Sequence, residues 1–334
     1  MATIAFPNNS EVVQLPSGMT YSYTYIPAKA HNPTILFLHG FPSSSYDWRH
    51  QLTHFSSLGF GAIAPDLLGY GETDKPTSVS DYRGKKMAKE IDELLEHAKL
   101  GRVHGVAHDW GTFLLSRFAN YYPGRLLSCS FLAVAYRPPG RSMDIDAVNA
   151  ITKQKLGYEM YGYWKFFERE DAAQILKDHI ESFLSILYPS EKSIWREHIA
   201  PLGALEAFVK GDELAKRGGY VSDNASDHLE IAMHRKIMKD EYGPGMNWYR
   251  CAMQNLDHRD EEEEKPDQNL EGPVLMIVAK EDPLSNAMAI NGMKEFVANL
   301  KVVEIECGHW LQIEKRHEVN TALEEFFKTF EKEL

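Results

Sequence analysis

The chain has 334 residues and a formal charge of -12, from 48 acidic against 36 basic side chains. That length fits one large α/β domain carrying an insertion, and the acidic balance argues against a nucleic-acid surface and against polyanionic partners generally. The three cysteines, Cys129, Cys251 and Cys307, show no metal-site or disulfide-framework spacing and read as buried free thiols. No apolar run approaches the roughly 18 residues of a membrane span. The first basic residue is Lys29, so no charged leader region is visible and a cytoplasmic protein is expected. The sequons at Asn8 and Asn224 are accordingly expected to stay unmodified.

In chain order, Val12 to Leu15 and Tyr21 to Tyr25 flank a Pro16-Ser17-Gly18 turn and read as an antiparallel hairpin at a sheet edge. Thr34 to Leu38 and Phe60 to Ala64 are continuous apolar runs, the pattern of buried parallel strands. Trp48 to Leu58 carries helical spacing, and Met87 to Leu100 is amphipathic with Ile91, Leu94 and Leu95 on one face. Strands are expected again at Cys129 to Ala135, Pro273 to Ala279 and Val302 to Glu306, giving βα alternation on both sides of a long central stretch. From Pro138 to about Arg250 the buried-strand signal vanishes, and aromatic-rich helical sequence such as Gly157 to Phe167 and Asp171 to Leu187 takes over. The reading is a core of residues 1–137 and 251–334 with a helical cap over 138–250. The acidic run Asp257 to Asp267 reads as a solvated linker. A closing helix is expected over Val319 to Phe330, with Leu323, Phe326, Phe327 and Phe330 on one face.

The chemistry concentrates where the strand pattern of Val103 to Ala107 meets the helical pattern beginning at Thr112. Ala107-His108-Asp109-Trp110-Gly111 places Asp109 at a sharp strand-to-helix turn, the layout of a nucleophile elbow. A carboxylate there attacks an electrophilic carbon to form an ester and is already ionised at neutral pH. A bland alternative is an Asp that caps the following helix. Two further loops complete a nucleophile, acid, histidine order: Asp282 follows the strand ending at Ala279, and His309 follows the one ending at Glu306. Both lie at strand carboxyl ends, where open α/β sheets build their sites.

These motifs, together with His39-Gly40-Phe41-Pro42, Tyr163 in Tyr-Trp-Lys-Phe-Phe, Asn247-Trp248-Tyr249-Arg250 and Cys307-Gly308-His309-Trp310, make the chain resemble epoxide hydrolases of the α/β-hydrolase fold over nearly its whole length. The resemblance implies a mostly parallel eight-stranded sheet with helices on both faces and an inserted helical cap. It implies that Asp109 opens the epoxide and that Tyr163 and Tyr249 hold and protonate its oxygen, with Tyr158 and Tyr161 as neighbouring candidates for the first position. His309, oriented by Asp282, then activates the water that hydrolyses the ester, with the backbone N–H groups of Phe41 and Trp110 as oxyanion donors and Trp110 also lining the substrate site. To aim that Phe41 N–H, the Phe41-Pro42 peptide is expected to be cis. No metal or organic cofactor is implied, and the expected partner is a small apolar epoxide, with neither nucleic acid nor membrane. A haloalkane dehalogenase would share the elbow aspartate but needs a halide clamp, and Phe41 offers no side-chain donor for one. A non-catalytic ligand receptor on the same fold is the alternative of another class. The particular epoxide, the enantiopreference and the oligomeric state are left open.

Overall fold

In the computed structural model, which describes residues 2–221, 228–239, 241–285 and 287–329, eight strands form one sheet. They are β1 (Ser10–Gln14), β2 (Thr20–Ile26), β3 (Thr34–Leu38), β4 (Gly61–Pro65), β5 (Val103–His108), β6 (Leu126–Leu132), β7 (Leu270–Ala279) and β8 (Val297–Ile305). Their order across the sheet is β1-β2-β4-β3-β5-β6-β7-β8. β1 and β2 pair antiparallel at one edge, β2 meets β4 antiparallel, and all other neighbours run parallel. The expected hairpin, edge position and central parallel strands are therefore present. β8 begins at Val297, ahead of the expected Val302, and Glu306 lies outside it. Much of β8 is exposed, so no apolar run announces it.

Both faces of the sheet are covered, which is why strands such as β3 read as almost wholly apolar runs. Along β3, Ile35 and Phe37 pack with Trp48, Leu52 and Phe55 and with Leu323 and Phe327 of the closing helix Arg316–Phe327. Leu36 and Leu38 face the other way, into a core shared with Met87 and Ile91 of helix Gly84–His97 and Leu114 and Phe118 of helix Trp110–Tyr121. Period-two alternation thus serves two helical layers at once. The three cysteines are buried free thiols. Phe330 and the Asn224 sequon lie outside the described residues. Among the described residues, no helix is long and apolar enough to cross a membrane.

Between β6 and β7 the described residues from Ile145 onward form a series of helices and their connections. Helices Tyr163–Glu168, Ile180–Leu187 and Gly243–Met253 bring their aromatic faces into the same buried cluster as Phe41 and Trp110 of the sheet layer. The stretch Gly157 to Phe167 is helical only from Tyr163, because Gly157 adopts φ +87° and ends the preceding helix.

The acidic run departs from expectation. It is not a solvated linker, since Leu256–Glu264 is a helix whose Asp257, Asp260, Glu261 and Glu264 fall at i, i+3, i+4 and i+7. Glu261 and Arg117 form an ion pair at 2.5 Å with both side chains 1% exposed. Asp257 accepts the Gly84 N–H, Asp260 pairs with Arg83 at 2.8 Å, and Glu264 pairs with Lys85. The stripe is amphipathic in charge rather than in hydropathy, and its meaning depends on basic partners from a distant part of the chain.

Candidate active site

Four loops meet above the carboxyl edge of the sheet: His39-Gly40-Phe41 after β3, Asp109 after β5, Asp282 after β7 and His309 after β8. Asp109 takes φ +52°, ψ -123° between β5 and helix Trp110–Tyr121. A non-glycine residue there costs on the order of 1–3 kcal/mol and is held only by its surroundings. Those surroundings are tight. A Cβ on Gly40 would lie 2.3 Å from Asp109 Oδ1, and one on Gly111 would lie 2.3 Å from the Leu38 carbonyl oxygen. Only glycine lets the elbow approach the end of β3 so closely.

The Asp109 carboxylate has two distinct oxygens. Oδ1 accepts the Phe41 N–H at 2.8 Å, across a Phe41-Pro42 peptide that is cis as expected. Oδ2 faces His309 Nε2 at 3.5 Å. Trp110 is the first residue of its helix, where the backbone N–H has no intrahelical acceptor. His309 Nδ1 bonds Asp282 Oδ2 at 2.7 Å, while Asp282 Oδ1 accepts the Leu284 N–H at 2.9 Å. All three side chains are nearly or fully buried.

Burial alone would lower the His309 pKa, but the charges of Asp282 and Asp109 and their hydrogen bonds outweigh it and raise it to about 10. Burial would raise that of Asp109, yet the hydrogen bond and charge of His309 hold it below the usual carboxylate range. At neutral pH the two therefore form a buried ion pair. Tyr163 and Tyr249 are pushed well above the usual phenol value, by burial first and then by the charges of neighbouring tyrosines and Asp109. Their hydroxyls stay protonated and can donate.

Tyr163 and Tyr249 approach with ring centroids 6.1 Å apart, and Tyr249 packs edge-on against Phe41 at 5.2 Å and Trp110 at 4.9 Å. Together with Asp109 and His309 they line a cavity walled by Phe183, Leu187 and Trp195 among others. A second, larger cavity shares Asp109, Tyr163 and Leu284 with the first and extends past Trp110, Trp164, Tyr161 and Met143. Of the two neighbouring tyrosines, Tyr158 donates its hydroxyl to the Pro283 carbonyl at 2.9 Å, whereas Tyr161 lines only the larger cavity.

Two contacts to His309, one of them backed by a further side chain, escaped sequence reasoning. His108 Nε2 bonds the His309 carbonyl oxygen at 2.8 Å, and Gln312 Nε2 lies 3.2 Å from His108 Nδ1. Burial lowers the His108 pKa to about 3, so the ring is neutral, with Gln312 donating to Nδ1 and Nε2–H donating to the carbonyl. Trp195, from the helical insertion, lies against the His309 ring at 5.1 Å. His108 adjoins the elbow and could have been singled out, but nothing near Trp195 marks it.

A sequence profile of the α/β hydrolase fold matches residues 33–316. The chain is 30% identical to Epoxide hydrolase srdG of Neurospora crassa, with 95% of each chain covered. It belongs to the epoxide hydrolases of the α/β-hydrolase fold. It is 24% identical to the Bifunctional epoxide hydrolase 2 of Mus musculus over 89% of its own length, spanning 52% of that longer protein. Among solved structures, an epoxide hydrolase of an endophytic Streptomyces superposes with a TM-score of 0.81 at 22% identity, covering 97% and 96% of the two chains. The Vigna radiata epoxide hydrolase VrEH1 gives 0.75 at 25% identity, covering 96% and 98%. Among the epoxide hydrolases, then, this chain presents one buried carboxylate between a backbone donor and an imidazolium, facing two protonated phenols.

Proposed function

We propose that this chain hydrolyses an epoxide to a vicinal diol through an ester on Asp109. The observation that carries this reading is the division of labour between the Asp109 oxygens, one fixed by the Phe41 N–H and the other left toward the cavity and His309. In the first half, Oδ2 attacks a ring carbon while Tyr163 and Tyr249 hydrogen-bond the ring oxygen and give it a proton as the C–O bond breaks. Raised phenol pKa values keep both donors loaded. In the second half, His309 takes a proton from water, which attacks the ester carbon. The oxyanion then forms at Oδ1, where the N–H groups of Phe41 and Trp110 are the donors.

Esterification also times the base. Once Asp109 is an ester its charge is gone, and the His309 pKa falls toward an ordinary imidazole, so the proton is released when a base is needed. The balance is neutral overall: epoxide plus water gives diol, and no step calls on a metal or organic cofactor. Apolar walls such as Phe183 and Leu187 suit a largely apolar epoxide.

A haloalkane dehalogenase would leave Tyr163 and Tyr249 without a task, and a receptor would have no use for the Asp109, His309 and Asp282 relay. The test is a single turnover in heavy-oxygen water with enzyme in excess. The diol should be unlabelled and the label should appear in the peptide containing Asp109, because the diol takes Oδ2 and water replaces it. His309→Gln should accumulate a covalent adduct of substrate mass on the same peptide. Labelled diol, or normal turnover by the variant, would overturn the mechanism.

A further inference from the structure

His309 is enclosed by rings as well as by charges. The indoles of Trp195 and Trp310 each lie with centroids 5.1 Å from that of the imidazole, Trp195 inclined by 40° and Trp310 nearly perpendicular at 87°. Both indole N–H groups are engaged elsewhere, on consecutive carbonyls at the end of helix Ile180–Leu187: Trp195 Nε1 donates to Ile186 and Trp310 Nε1 to Leu187, each at 2.8 Å. Carbonyls of a last helical turn have no intrahelical partner, so these bonds satisfy them. With its donor spent, Trp195 meets His309 through its π system.

The ring is also held from its own helix, Ile194–His198 of the insertion. Shortly before it, Lys192 pairs with Glu314 at 2.8 Å, and Glu314 accepts the N–H of Gly308, the residue preceding His309, at 3.3 Å. Arg196, the next residue along, turns to the face of Tyr158 at 5.5 Å. The segment from Lys192 to Trp195 therefore grips the His309 loop at two points. A cation within about 6 Å of an indole centroid is attracted to it, most strongly where water is excluded, and Trp195 and His309 are both buried. The charges facing His309 are Asp109 and Asp282, while His108, at 4.6 Å from the same ring, is neutral. Once Asp109 is an ester, the imidazolium is left with Asp282 and the indole.

We infer that Trp195 is a positioning residue for ester hydrolysis, whose ring holds the His309 imidazolium and stabilises it while the base carries the proton taken from water. The chemical step is unchanged: water gives its proton to Nε2 and its oxygen to the ester carbon, and Trp195 exchanges nothing. This rests on the proposed reaction for the kinetics, though not for the titration of the imidazole.

The experiment has two arms on the full chain. In the first, NMR follows the His309 titration in an Asp109→Asn background, where residue 109 is neutral as in the ester, with Trp195 intact, as Trp195→Phe and as Trp195→Leu. The midpoint should fall by about one pH unit in Trp195→Leu and by a few tenths in Trp195→Phe, because a phenyl ring attracts cations more weakly than an indole. The sign is decisive. Were Trp195 only a wall, its removal would admit water, relieve the burial that lowers the His309 pKa and move the midpoint up. In the second arm, with Asp109 present, single-turnover decay of the ester is followed against pH. Its acid limb, set by neutral His309, should move down by the same amounts, whereas a changed fit of substrate would scale the rates and leave the limb in place. An unmoved or raised midpoint overturns the inference, as does a limb that stays put while the midpoint moves. If no epoxide forms an ester, the proposed reaction falls and the NMR arm alone decides. Should Trp195→Leu fail to fold, Trp195→Phe decides by the same sign.

Discussion

Replacing Asp109 by asparagine removes one charge from a buried pair and leaves the shape almost unchanged, so it isolates what that charge does to His309. The carboxylate oxygen lies 3.5 Å from Nε2. At an effective dielectric of about 20, Coulomb's law gives an attraction of about 5 kcal/mol, equivalent to three or four powers of ten in proton affinity. The His309 pKa should then fall from about 10 to about 6 or 7, near an unperturbed imidazole. The asparagine amide is also a neutral stand-in for the ester, so this value is the one that governs the second half-reaction. Titration of the imidazole resonances by NMR in both proteins reads it directly. Stability supplies a second measure with a definite sign. A folded-state pKa above the unfolded value of about 6.5 means that protonated His309 stabilises the fold below about pH 6.5, and that this contribution is lost as pH rises through about 10. Wild type should therefore lose stability across that window, and Asp109→Asn should lose far less. If His309 still titrates near 10 in the variant, Asp282 alone sets its charge and the timing argument fails.

Loss of one phenol should slow ring opening by on the order of 10-fold, because the other donor remains, whereas Tyr163→Phe with Tyr249→Phe should lose about 10⁴-fold. Rapid-quench measurement of ester formation tests this, and near-normal rates in the double variant would remove both from the mechanism. Glu261→Gln strands Arg117 in a site where both side chains are 1% exposed. It should cost about 3 kcal/mol in denaturant unfolding, while a solvated linker would give less than about 0.5 kcal/mol.

The parallel core is legible without coordinates, since Thr34 to Leu38 and Phe60 to Ala64 are almost wholly apolar runs and strands covered on both faces read that way. So are the elbow and the chain order of Asp109, Asp282 and His309, because a sharp turn at a strand end leaves a local signature of small residues. β8 was seen only in part, for its exposed edge residues carry no apolar pattern. The acidic helix was misread because its periodicity lies in charges, and charge alternates with helical spacing as readily on a solvated surface as against Arg117 and Arg83. Which tyrosine meets which cavity emerged only on folding, since Tyr158, Tyr161 and Tyr163 differ by a few residues in a turn whose path is set by distant packing. The same holds for Trp195 against His309. Local pattern records what a residue does for its own strand or helix, whereas these contacts join segments far apart in the chain, and only the folded molecule brings them together.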